Sequence, residues 1–151
     1  MPNWCYNRIT IYGDEKTEAK LKEIEEIFEK ADPFNQIFPI PDFKNIPDEK
    51  GELPKLEQHK NDKGEVVWET FNFPDGTNDD RWYSWCINNW GTKWDAGDVD
   101  IEYQDSEILE LEFDTAWSPP EGIMEKLREK YPDLSFQCFY DEPGCEAAGY
   151  Y

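Results

Sequence analysis

Four stretches that alternate apolar with polar residues, and two that repeat apolar residues at helical spacing, predict an α+β fold: an antiparallel sheet with helices on one face. A proline-broken segment lies between the regular stretches. It predicts a single domain, residues 1–151, carrying an insertion at 33–97.

The first strand is read in Asn7-Arg8-Ile9-Thr10-Ile11-Tyr12, which is β-branched and alternating, and Gly13-Asp14 ends it. From Glu15 to Ala31 the residues Leu21, Ile24, Ile27, Phe28 and Ala31 form a helical stripe. Glu and Lys make the other face a solvated one, and Asp32-Pro33 stops the helix. In the insertion, Pro33, Pro39, Pro41, Pro47, Pro54 and Pro74 interrupt the apolar runs. Irregular structure is expected, with an extended strap at Phe38-Pro39-Ile40-Pro41 and a hairpin turning at Asp62-Lys63-Gly64 into Val66-Val67-Trp68. A Trp-rich helix at about 79–90 closes it: Asn78 can cap, Asp79 and Asp80 suit the positive helix start, and Gly91 supplies a left-handed exit. Trp82, Trp85 and Asn89 share one face of that helix beside Cys86, the pattern of a helix packed into a core.

Asp98 to Tyr103 and Ile108 to Asp114 alternate around Gln104-Asp105-Ser106 and form a β-hairpin. Ser118-Pro119-Pro120-Glu121 reads as a capping box with proline at the first helical position, followed by the stripe Ile123, Met124, Leu127 and Tyr131. Pro132 stops this helix, and Leu134 to Tyr140 is the last strand. The order matches two split βαβ units, a ferredoxin-like βαββαβ sheet whose strands lie 4-1-3-2 in space.

Acidic residues number 35 against 15 basic, a net charge of -20, which argues against nucleic acid and anionic membrane as direct partners. Aromatic residues make up 16% of the chain and supply enough burial for a folded core despite that charge. Cys5, Cys86, Cys138 and Cys145 form no C-x-x-C pair, and His59 is the lone histidine, in a polar stretch. No metal site, cofactor or His-based catalytic triad is expected, and no Gly-rich phosphate loop or nucleophile elbow occurs. The spacing of Asp95, Asp98, Asp100 and Glu102 does not match a calcium loop. With no signal-peptide pattern and no long apolar run, a cytosolic location is expected. Enzymatic activity is not.

The ferredoxin-like topology gathers Asn3-Trp4-Cys5, Asn89 to Asp95, Thr115 to Ser118 and Glu142-Pro143-Gly144 at one end of the sheet, together with the start of the second helix. A ligand site is predicted there from Asn3, Trp4, Asn7, Asn89, Lys93, Trp94, Trp117, Ser118 and Glu142. Tryptophans would stack a planar group, Lys93 and helix N–H groups would hold an anion, and asparagines would read polar edges. A small nucleotide-like molecule fits that chemistry.

The alternative is an acidic face. Between Lys93 and Lys126 stand eleven acids and no basic residue. If Val99, Ile101, Tyr103, Leu109, Leu111 and Phe113 face the helices, Asp98, Asp100, Glu102, Glu110, Glu112 and Asp114 form two carboxylate rows on the open side. Such a surface suits a DNA-mimicking inhibitor that binds a basic host protein, whereas RNA readout would require aromatic and basic residues there. A purely structural or interaction domain is the remaining alternative.

The chain also resembles a known family. Met1-Pro2-Asn3-Trp4-Cys5 with Asn7 and Gly13, Trp82-Tyr83-Ser84-Trp85, Asn89-Trp90-Gly91-Thr92-Lys93-Trp94-Asp95, Phe113 to Pro120 and Glu142-Pro143-Gly144 are similar to the YubB-like family of phage and plasmid proteins. The resemblance implies a ferredoxin-like domain and a mobile-element origin, in which capture of a host signal would serve counter-defence. It implies no particular activity. Where the family pattern carries an aromatic after the Glu-Pro-Gly turn, this chain has Glu146-Ala147-Ala148-Gly149.

Overall fold

Strand β1, Trp4–Tyr12, alternates buried and more exposed residues along its length, and it occupies the centre of a five-stranded sheet. The computed structural model describes residues 2–151. After β1 come helices α1 (Glu18–Glu29) and α2 (Pro33–Ile37), strands β2 (Lys55–Lys60) and β3 (Val66–Asn72), and helix α3 (Arg81–Asn89). Strands β4 (Gly97–Gln104) and β5 (Ile108–Ala116), helix α4 (Glu121–Lys130) and strands β6 (Ser135–Glu142) and β7 (Ala147–Tyr150) complete the order.

The large sheet runs β4-β5-β1-β6-β7 with every neighbouring pair antiparallel. This is the expected order of four strands with β7 added beside β6. Ile9 and Ile11 of β1 and Leu109, Leu111 and Phe113 of β5 are buried together with Leu21, Ile24 and Phe28 of α1 and Ile123, Met124 and Leu127 of α4. Each such side chain contributes about 1.5–3 kcal/mol on burial. Phe28 stacks on Phe113 at 5.8 Å, and Phe34 meets Phe113 edge-on at 5.5 Å.

Two compact units are separable along the chain, one formed by residues up to Pro39 with Cys86–Tyr151 and the other by Ile40–Trp85. In the second, β2 and β3 form a hairpin closed at Asn61, whose side chain accepts from the N–H groups of Lys63 and Glu65 at 3.0 Å each. The His59 and Trp68 rings stack across it at 3.5 Å. Arg81 organises the rest: Nε donates to Asp79 at 2.8 Å, Nη2 donates to the Phe43 carbonyl at 2.7 Å, and the guanidinium lies over the Phe43 and Phe73 rings.

Three local expectations are corrected. Asp32-Pro33 does not simply stop a helix, because Asp32 takes a left-handed conformation (φ 56) and Pro33 opens α2. Ser118 does not cap α4: the residue before a proline is kept out of helical conformation, so two successive prolines delay the helix to Glu121 and no side chain caps it. Helix α3 starts at Arg81 rather than 79, because the Asp79 carboxylate is drawn to the Arg81 side chain. The tryptophan taken by the core is also different. Trp82 is 38% exposed, while Trp90, one residue past the helix, is 2% exposed, donates Nε1 to the Phe38 carbonyl at 2.8 Å and meets Phe34 edge-on. Among the described residues no helix is long and apolar enough to cross a membrane.

Candidate functional site

The segments expected to converge do meet at one end of the large sheet. Trp4 pairs with Ala116, the Trp117 N–H donates to the Asn3 carbonyl at 2.9 Å, and the Thr92 hydroxyl donates to the Ala116 carbonyl at 2.8 Å. The Ser118 hydroxyl donates to the Gly91 carbonyl. Gly91 (φ 92) takes the left-handed exit expected of it, and a Cβ there would stand 2.9 Å from the Pro119 carbonyl, so the loop after α3 closes directly on the approach to α4. Trp94 reaches Trp4 at 6.2 Å, and the Lys93 ammonium lies 4.2 Å above the Trp94 ring. Trp117 projects a half-exposed indole from a left-handed backbone (φ 69), which is strained for a bulky residue.

Several polar groups of the predicted ligand site are engaged within the fold. Asn7 is fully buried: its Nδ2 donates to the Cys5 carbonyl and the Thr115 hydroxyl, and its Oδ1 accepts from the Tyr151 hydroxyl at 2.8 Å. It is a strut of the core, and the alternation of β1 puts it there. Thr115 passes the chain of bonds on to the Ser118 carbonyl. At the start of α4 the Glu121 N–H donates to Pro119 and the Gly122 N–H to Trp90, so these amides already have acceptors. Asn89 is half-buried at the end of α3, with its carbonyl against Gly122. Asp95 accepts from the N–H groups of Phe34, Asn35 and Ala96, which makes it the cap of α2.

Glu142 differs from all of these. It is 2% exposed, and its carboxylate lies beside the Cys145 thiol, whose pKa it raises. Burial, followed by the carboxylates of Glu142, Asp141 and Asp114, pushes the Cys5 thiol up to about 11.

The acidic residues of β5 lie as the alternation requires, but β4 shifts register on both sides of Asp100–Ile101, so Tyr103, expected to face the helices, stands opposite Glu110 on the open side. Val99 and Ile101 of β4 and Leu109, Leu111 and Phe113 of β5 take the helix side, leaving Asp98, Asp100, Glu102, Glu110, Glu112 and Asp114 on the open side. Asp100 stands opposite Glu112. Its carboxylate, then that of Glu112, pushes Glu102 up to about 7. The sequence reading missed two neighbours on the same side. The Tyr6 hydroxyl donates to Glu112, while Arg8, opposite Glu112 in the register, lies over the Phe139 ring at 5.3 Å. The alternation of β1 already pointed both outward. Among the described residues no group of three His, Cys, Asp or Glu side chains is arranged to hold a metal ion.

The Ile40–Trp85 unit holds a further feature without a sequence signal, an apolar groove of about 220 Å³ lined by residues including Ile40, Phe43, Phe71 and Trp82. The prolines that break its pattern carry side chains together that periodicity does not relate.

No sequence match is found among curated proteins. The whole chain is similar in fold to the crystal structure of a protein api92 from Yersinia pseudotuberculosis, with a TM-score of 0.52 and 13% identity over 99% of this chain and 93% of that one. Residues 89–151, which include the acidic hairpin, α4 and Glu142, match the family model described as the ferredoxin-like domain in Api92-like protein.

Proposed function

We propose that this is a non-enzymatic binding protein whose open sheet face receives a basic protein, its carboxylates standing where that protein expects phosphates. The observation that carries the reading is the double acidic row on β4 and β5. Residues on one face of a regular strand lie about 6.7 Å apart, so the Glu110, Glu112 and Asp114 row of β5 spans about 13 Å, with Asp98, Asp100 and Glu102 of the bulged β4 alongside it. Like charges opposed on paired strands weaken a sheet, and a basic partner relieves them. Trp4 and Trp94 stand at the end of these rows as aromatic anchors. The anionic-ligand reading is less well supported, because Asn7, Ser118 and the first amides of α4 have partners within the fold. The resemblance to phage and plasmid proteins supplies a setting: a mobile-element protein in the cytosol of its host, acting on a DNA-binding enzyme.

A labelled lysine-rich peptide, titrated by fluorescence anisotropy, tests this. Asp100→Asn/Glu110→Gln/Glu112→Gln is expected to weaken binding at least about tenfold, and binding is expected to fall steeply between about 50 and about 300 mM salt. The control Glu15→Gln/Glu26→Gln/Glu29→Gln removes the same charge away from the face. If both triple variants behave alike, net charge rather than this face attracts the peptide, and the proposal fails.

A further inference from the structure

We infer that the open sheet face seats a guanidinium group at Tyr6, so that the basic partner is recognised there through an arginine rather than a lysine side chain. The inference rests on the proposed docking of a basic protein and names the chemistry that one place on that face selects. Tyr6 lies on the central strand, on the open side, and the register sets it between Asp114 of β5 and Asp141 of β6. Directly opposed residues on antiparallel strands have Cβ atoms about 4.5–5.5 Å apart, so both carboxylates stand within reach of a group laid on the Tyr6 ring. The ring is held in place, because its hydroxyl donates to Glu112. Burial, followed by that carboxylate, pushes the hydroxyl up to about 12, so the donor persists at neutral pH.

The same face already shows this chemistry once. Arg8, two residues along β1, stands opposite Glu112 on one side and Phe139 on the other, and its guanidinium lies over the Phe139 ring at 5.3 Å. It is the only lysine or arginine in the five strands of the large sheet. At Tyr6 an aromatic ring and flanking carboxylates recur, and among the described residues no lysine or arginine forms an ion pair with Asp114 or Asp141. Burial, followed by the Asp98 carboxylate, raises the Asp114 pKa, as expected where negative charge lacks a cation. A guanidinium is planar, weakly hydrated and donates in a fork, so it can stack on a ring while its N–H groups meet carboxylates at the ring's edge. A lysine ammonium is a strongly hydrated point charge and gains only the electrostatic attraction. Trp4, the next residue of β1 on this side and 45% exposed, offers apolar surface to the methylene stem of the arginine.

Labelled arginine-rich and lysine-rich peptides of equal length and charge, titrated side by side by fluorescence anisotropy at one salt concentration, provide the test. The unaltered protein is expected to bind the arginine peptide at least about tenfold more tightly. In Asp141→Asn and in Tyr6→Leu the two affinities should converge to within about threefold, through loss of arginine binding. Tyr6→Phe, which keeps the ring, should keep the preference, and its loss there overturns stacking as the cause. Equal affinities in the unaltered protein, or a preference that survives Asp141→Asn or Tyr6→Leu, overturn the inference. If Tyr6→Leu does not fold, Asp141→Asn, at an exposed position, decides alone. Equal affinities that still drop in the Asp100/Glu110/Glu112 triple variant overturn the seat and leave the docking face standing, whereas binding of neither peptide overturns both.

Discussion

Asn89 and Gly122 meet backbone against backbone. A Cβ added at Gly122 would lie 1.7 Å from the Asn89 carbonyl oxygen, while the Gly122 N–H donates to the carbonyl of Trp90 at 3.0 Å. The end of α3 and the start of α4 are thereby held at a distance that no other residue permits. Gly122→Ala should destabilise the protein by at least about 3 kcal/mol, the upper end of overpacking costs, measured as a lower urea midpoint. An unchanged midpoint would show that α4 can move away from α3 without loss.

Removing one hydroxyl tests the buried network. In Tyr151→Phe the Oδ1 of Asn7 loses the donor at 2.8 Å while remaining buried, at an expected cost of about 1–3 kcal/mol. The thermal midpoint should fall by about 2–4 °C for each kcal/mol. Asn7→Ala should cost more, since it takes the acceptor from the Tyr151 hydroxyl and the donor from both the Thr115 hydroxyl and the Cys5 carbonyl.

Stability should depend on pH through Glu102. Its pKa is raised from the ordinary 4.5 to about 7 by Asp100 and Glu112, so the folded chain holds this proton more tightly than the unfolded one does. The favourable contribution is complete below about 4.5 and is lost as pH rises through about 7. Melting followed from pH 5 to pH 8 should show a falling midpoint, and Glu102→Gln should flatten that part of the profile. An unchanged slope in the variant would assign the dependence to other groups.

In the Ile40–Trp85 unit, Arg81→Ala removes the donor to the Phe43 carbonyl and the partner of the nearly buried Asp79. The expected loss is about 1.5–3 kcal/mol, confined to that unit. Hydrogen exchange should quicken in residues 40–85 and stay unchanged in β1 and β5. Arg81 also holds the Asp79 carboxyl below its ordinary range, so this contribution is present above the unfolded pKa and is lost as pH falls through the folded value.

The central strands and longer helices were legible because their determinants are local. Ile9 and Ile11 alternate with polar neighbours, and Leu21, Ile24 and Phe28 repeat at helical spacing, so each element is recorded within a few residues of itself. Helix α2 was not legible, because Asp95 satisfies its first amides from about sixty residues away. Strand β7 has the near-featureless sequence Ala147-Ala148-Gly149-Tyr150 and exists through its pairing with β6. The candidate site divides in the same way. Alternation placed the acidic row of β5 outward but missed the bulges of β4 that turn Tyr103 outward too, and the same alternation, followed along β1, would have placed Asn7 inward. Nothing in the sequence distinguishes Glu142 from the other carboxylates, since what sets it apart is its burial in three dimensions.

The outer strands of the large sheet carry a further consequence. Strand β4 pairs on one side only, shifts register twice and sets Asp98, Asp100 and Glu102 along its length. A second molecule adding there would bring these carboxylates close to their own copies, and the opposite border offers only the four residues of β7. Both borders thus discourage edge-to-edge growth of the sheet into larger aggregates. An acidic strand that attracts an unlike partner through its side chains keeps its backbone from templating more of its own kind.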